Sequence, residues 1–309
     1  MAQQYKKQHI VPQSYLKRFA IKRKNRYQIG TRVIDKQGHV KLFRSSVSDV
    51  GYINNYYDTP CHEDNKYWEH YFEKNFEYLF GDVLDKIIAK ITLSATDVCI
   101  LSQDDKAVLA KMIMSQTVRV PSFLDEQIEK ANKIVEDTKI EILEVYPNLE
   151  IEKQELVKSM ILDSETRKDL VLDVTFNEER FEKFCNILEQ KICIVYFNSI
   201  SKDMPYLTCD NPVLYLDIKG NSKRLTQLGL QNNKTVIFYP LSPSILLGFY
   251  SHEIWFDYLS EFDGKVVAVN DMRFIGKVNY ELMMQSFVHV FIPEPFFSFV
   301  LGGGNIENK

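Results

Sequence analysis

The chain has 309 residues, 45% of them hydrophobic and 26% charged, with a net charge of -4. That length and balance suit a folded chain with a sizeable core and exclude a disordered one. No apolar run nears the ~18 residues of a membrane span, and the basic start lacks the apolar centre of a secretory signal.

The first 44 residues hold twelve basic side chains and one acid, Asp35, giving +11 against -15 for the remainder. Such a segment either tracks the phosphates of RNA or DNA or docks on the acidic rest of the chain. Pro12 is placed to start a short helix that puts Tyr15, Leu16 and Phe19 on one face. Residues 27–43 predict a β-hairpin, "YQIGTRVI" and "HVKLF" around "DKQG", with Gly38 in the turn. Residues 45–62, rich in Ser, Gly and Asn, predict a surface loop.

From 66 onward the apolar period turns helical through Trp68, Phe72, Leu79, Phe80, Val83, Leu84, Ile87 and Ile91. "SQDD" opens a second helix that runs toward Pro121. A third covers about 122–145, and shorter charged helices fall in 151–190, one of them capped by Asn177. Strand-like runs follow at 191–199, 206–217, 234–242 and 244–250. A helix over 265–286 and a strand at 288–293 close the pattern, with 297–309 as a tail. The order predicts an α+β fold in one compact domain. A small basic hairpin-and-helix segment (1–62) leads to a helical middle (63–190), then a mostly antiparallel sheet with a helix (191–296).

Five scattered cysteines without a C-x-x-C pair fit reduced thiols, and the default location is cytoplasmic. Cys61, His62 and His70 lack the second cysteine pair of a zinc finger or ribbon and read as surface residues. There is no Walker loop, G-x-G-x-x-G, G-x-S-x-G or H-E-x-x-H.

Three stretches place polar groups where packing expects apolar ones. His9, before the Pro12 turn, is usable as an acid or base; its plainer role is a half-buried ring bonded to a carbonyl. In "MIMSQTVRVP", Gln116 and Arg119 continue a helical apolar stripe. Their buried donors need partners, either a bound phosphate or carboxylate or an internal acid. In "YLTCDNPVLYL", Asp210 and Asn211 break a strand. They form either an Asx turn before Pro212 or a cleft carboxylate that orients His9 or holds a divalent metal.

The carriers "QHIVPQSYLKRFA", "FEYLFGDVLDKI", "QTVRVP", "TCDNPV" and "YPLSPS" together resemble the bacterial family catalogued as domain of unknown function 4238. The resemblance covers about residues 5 to 290 and implies that His9, Arg119 and Asp210 meet at one site, with Glu77 in support. Cys209 stands where serine is usual. "QHIVP" is also similar to the first segment of His-Asn-His nucleases, which implies a ββα metal site using Asn25. Gln8 departs from that pattern, and Val33 and Ile34 stand where its metal ligand should fall, His39 coming later.

The expectation is a nuclease-like bacterial effector, in phage defence, that acts on RNA or DNA held by residues 1–44. His9 and Asp210 are its catalytic residues, and Gln116, Arg119, Asn211, Lys7 and Arg18 bind substrate. A divalent metal is an optional cofactor. The alternative is a non-enzymatic module whose basic segment recruits a partner.

Overall fold

The computed structural model describes residues 7–34, 37–59, 61–64, 66–93, 98–160 and 163–303. The chain starts with β1 (Lys7–His9), then the short helix α1 (Gln13–Leu16) after Pro12, as the proline predicts. Strands β2 (Ile21–Arg23), β3 (Arg26–Ile34) and β4 (Val40–Ser46) form two consecutive hairpins. The expected turn of the second includes residues 35–36, which lie outside the described residues.

The 45–62 stretch is more ordered than a loop. It contains β5 (Tyr52–Asn54), which pairs antiparallel with β1 and sets His9 opposite Tyr52. Gly51 makes this possible, because its φ of +66° turns one carbonyl to accept both the Ile10 and Val11 N–H groups.

The middle is helical as predicted. Helix α2 (Tyr67–Phe72) passes through a wide π turn at Glu73–Glu77 into α3 (Tyr78–Leu93). Ser102 and Asp105 form the capping box of α4 (Gln103–Arg119), and Pro121 occupies the first turn of α5 (Pro121–Val145). Helices α6 (Ile151–Ser159), α7 (Ser164–Thr175) and α8 (Glu178–Glu189) follow, with Asn177 capping α8.

The last third builds one five-stranded sheet and completes the other. Strands β6 (Ile192–Asn198), β7 (Thr208–Cys209), β8 (Leu214–Leu216), helix α9 (Leu225–Leu228), β9 (Val236–Ser242) and β10 (Ile245–Tyr250) come first. Helix α10 (His252–Leu259), β11 (Val266–Val269), α11 (Met272–Gln285), β12 (His289–Ile292) and α12 (Phe296–Gly303) complete the chain. One sheet runs β11-β6-β10-β9-β8, antiparallel except for the parallel β11–β6 pair. The other runs β2-β3-β12-β7 with β4 beside β3, so it joins the first basic hairpins to the last strand.

Two boundaries differ from expectation. The predicted 265–286 helix is a strand, a turn and a shorter helix; "VVAV" is too short for periodicity to separate strand from helix, and pairing with β6 decides it. The predicted tail contains α12, whose Phe297 is fully buried against Gly30 of β3. A hydrophobic core from Ile10 to Phe291 runs through the basic segment, the helices and the sheet.

Candidate active site

His9, Arg119 and Glu77 meet at one wall of a cleft of about 450 Å³. Arg119 is the last residue of α4, where the helix dipole favours a cation. Its Nη2 donates to the His9 carbonyl at 2.6 Å and to Glu77 Oε1 at 2.7 Å. The guanidinium lies over Phe72, 4.6 Å from the ring centre, and is only 2% exposed. Burial works to lower its pKa, but the Glu77 carboxylate and the Tyr57 hydroxyl together oppose it and the pKa is raised. Nε and Nη1 are buried without a partner.

His9 follows from the β1–β5 pairing, with its ring edge-on to Tyr52 at 5.9 Å. Burial pushes its pKa down from 6.5; the Glu77 charge opposes this, while Arg119 and Lys7 add to it. The imidazole is therefore neutral at pH 7. Its Nε2 is buried and makes no hydrogen bond. Lys7 lines the same cleft, paired with Asp49 and 4.8 Å from the Tyr52 ring centre.

The matching family model, "Protein of unknown function (DUF4238)", spans residues 7–291. The chain belongs to the DUF4238 family. No curated protein and no solved structure matches it significantly.

The quoted DUF4238 stretches do not all converge. Gln116 is 2% exposed and donates its amide N–H to the Ile10 carbonyl at 2.9 Å. With Arg119 it clamps the backbone that carries His9, rather than offering a donor to substrate. Asp210 does not line the cleft. Its carboxylate accepts from the backbone N–H groups of Phe287, Val288 and His289 at 2.7, 2.7 and 2.8 Å. Those bonds occupy it as a structural tie between β7 and β12, which overturns its expected role of orienting His9.

Asn211 lines a different cleft of about 710 Å³, together with Asp125, Arg224 and Gln285. No histidine lines that space. Arg18 is also displaced from its expected role, since it bonds the Gly81 carbonyl at 2.6 Å and Asp85 at 2.9 Å and so ties α1 to α3. Asn25 sits in the turn between β2 and β3, and the strands that follow it lead only to a single 3-10 turn at Val47–Asp49, not to the α-helix that a ββα site places after its hairpin.

Sequence reasoning missed Gln8, Tyr57, Glu69 and Glu73, which share the cleft with His9. One signal was present: Glu69, Glu73 and Glu77 recur every fourth residue and so share a helical face. Gln8 is buried and binds the other wall, accepting from the Tyr57 N–H and donating to Asp58.

Proposed function

We propose that the chain is a nucleic-acid-processing enzyme that cleaves phosphodiester bonds, with His9 as the general base. The carrying observation is the His9 imidazole at the wall of a cleft beside the Arg119–Glu77 pair, its Nε2 without a partner among the described residues. A neutral imidazole can accept the proton of an attacking hydroxyl or water. The buried Arg119 guanidinium, held by Glu77, adds positive charge beside the cleft, where it favours an anionic phosphodiester, and Lys7 lines the same space. Rate should fall as pH drops through the His9 pKa, which lies under 6.5.

The same N-terminal segment supplies a docking strip for nucleic acid. Lys22, Arg23, Lys24 and Arg26 are exposed at the β2–β3 turn and make no ion pair with an acid among the described residues. Free thiols at Cys61, Cys99, Cys185, Cys193 and Cys209 agree with work in the cytoplasm, and phage defence is the setting proposed for it.

The test is cleavage of single-stranded and duplex RNA and DNA, with Mg²⁺ and with EDTA. His9→Asn should reduce the rate by about 10²–10⁴ while the melting temperature stays close to that of the parent. No cleavage of any of the four substrates by the parent chain rejects the enzyme. The non-enzymatic module then takes its place, supported by the donors that Gln116 and Arg119 spend on backbone carbonyls.

A further inference from the structure

Away from the cleft, helix α7 presents Asp169 and Asp173 one turn apart, and His62 reaches them from the segment before α2. One ligand atom from each of the three lies within 4.8 Å of the others. Asp169 is 5% exposed. Among the described residues, neither carboxylate is paired with a lysine or arginine.

The His62 nitrogen is the telling atom. Its Nε2 is buried and makes no hydrogen bond, although it stands 3.2 Å from Asp169 Oδ1. A nitrogen and an oxygen bound to one ion at about 2.0–2.1 Å each end up about 3.0–3.4 Å apart. The contact brings the two side chains within range of one ion, and since Oδ1 already accepts two hydrogen bonds, Oδ2 is the oxygen of Asp169 left to bind it.

The surroundings hold both groups in that pose. The imidazole stacks on Tyr67 with centroids 3.9 Å apart and meets Trp68 edge-on at 6.0 Å. Asp169 Oδ1 accepts from Thr59 Oγ1 and Trp68 Nε1, each at 2.8 Å. Outer donors that fix a ligating carboxylate are typical of metal sites.

We propose that His62, Asp169 and Asp173 bind one divalent first-row cation of the Zn²⁺ class. One imidazole and two carboxylates make a three-ligand set, and the exposed Asp173 leaves a further position open to water. Imidazole in the set favours Zn²⁺ over Mg²⁺ or Ca²⁺. The ion pins the Thr59–His62 end of the loop to α7, and that loop carries Tyr57, a wall of the His9 cleft.

The test is Zn²⁺ titration by calorimetry of the full chain after EDTA stripping, with melting curves alongside. One Zn²⁺ per chain and a rise in melting temperature are expected. His62→Ala and Asp173→Asn should each weaken binding at least tenfold and abolish the rise, while Cys61→Ser and His70→Ala leave both intact. His70 is bonded to Asp64 at the surface, so it serves as a control. Asp173 is exposed, so its variant reports on binding even if His62→Ala folds poorly. The site is rejected if the stripped chain takes up no Zn²⁺ at 100 µM. It is equally rejected if Asp173→Asn binds Zn²⁺ as the parent does, or if Cys61→Ser alone removes binding.

Discussion

The half-buried His9 leaves a mark on stability. The folded pKa of His9 lies below 6.5, so the unfolded chain takes up a proton at a pH where the folded chain resists it. Stability is then complete above about pH 7.5 and declines as pH falls through 6.5. Urea midpoints at about pH 7.5 and 5.5 should show a smaller decline for His9→Asn than for the parent; equal declines would assign the pH response to other groups. Asp210 teaches the opposite lesson about a buried acid. A carboxylate that accepts three backbone N–H groups has little capacity left for chemistry, whatever motif it stands in.

At the level of elements, the contact between β3 and α12 is the most sensitive to a small change. A Cβ on Gly30 would lie 2.3 Å from the Phe297 ring and 2.7 Å from the Ile292 carbonyl. Gly30→Ala should therefore cost about 1–3 kcal/mol or more, read as a lower urea midpoint, because the obstacle includes backbone. A midpoint unchanged from the parent would mean that α12 does not seat on β3. Elements with local signals were legible in the sequence: Pro12, the Ser102–Asp105 box and Asn177 each mark a real helix start. Elements defined by distant partners were not. Strand β11 exists through β6, β5 through β1, and α12 through Gly30, and none of these pairings leaves a trace in a short window. The site divided in the same way. His9, Arg119 and Glu77 do converge, whereas Asp210 looked equivalent because a polar residue in a strand reads alike whether it meets substrate or backbone.

For the whole molecule, charge is segregated in sequence and only partly neutralised in space. Lys7, Arg18 and Arg44 find acids in the structure, while the four cations of the β2–β3 turn find none among the described residues. Binding of duplex DNA should weaken steeply with salt, the log–log slope changing by about 0.9 for each phosphate contacted. Replacing Lys22, Arg23, Lys24 and Arg26 with serine should flatten that slope by roughly 3 to 4 units, measured by fluorescence anisotropy from 50 to 200 mM salt. A slope unaffected by the four changes would remove the turn from the nucleic-acid path.

The second sheet has a consequence for the order of events during synthesis. Strand β3 has β4 along one flank and β2 then β12 along the other, so its Gly30–Val33 stretch stays unpaired on that second flank until residues 289–292 have left the ribosome. Thr208, which hydrogen-bonds the Tyr15 hydroxyl at 2.7 Å, also emerges late. The ground beneath His9 is thus finished by residues made well after every residue of the cleft. A chain interrupted before β12 carries every cleft residue and still lacks the frame that holds them, so the cleft takes its final shape only when translation has passed β12.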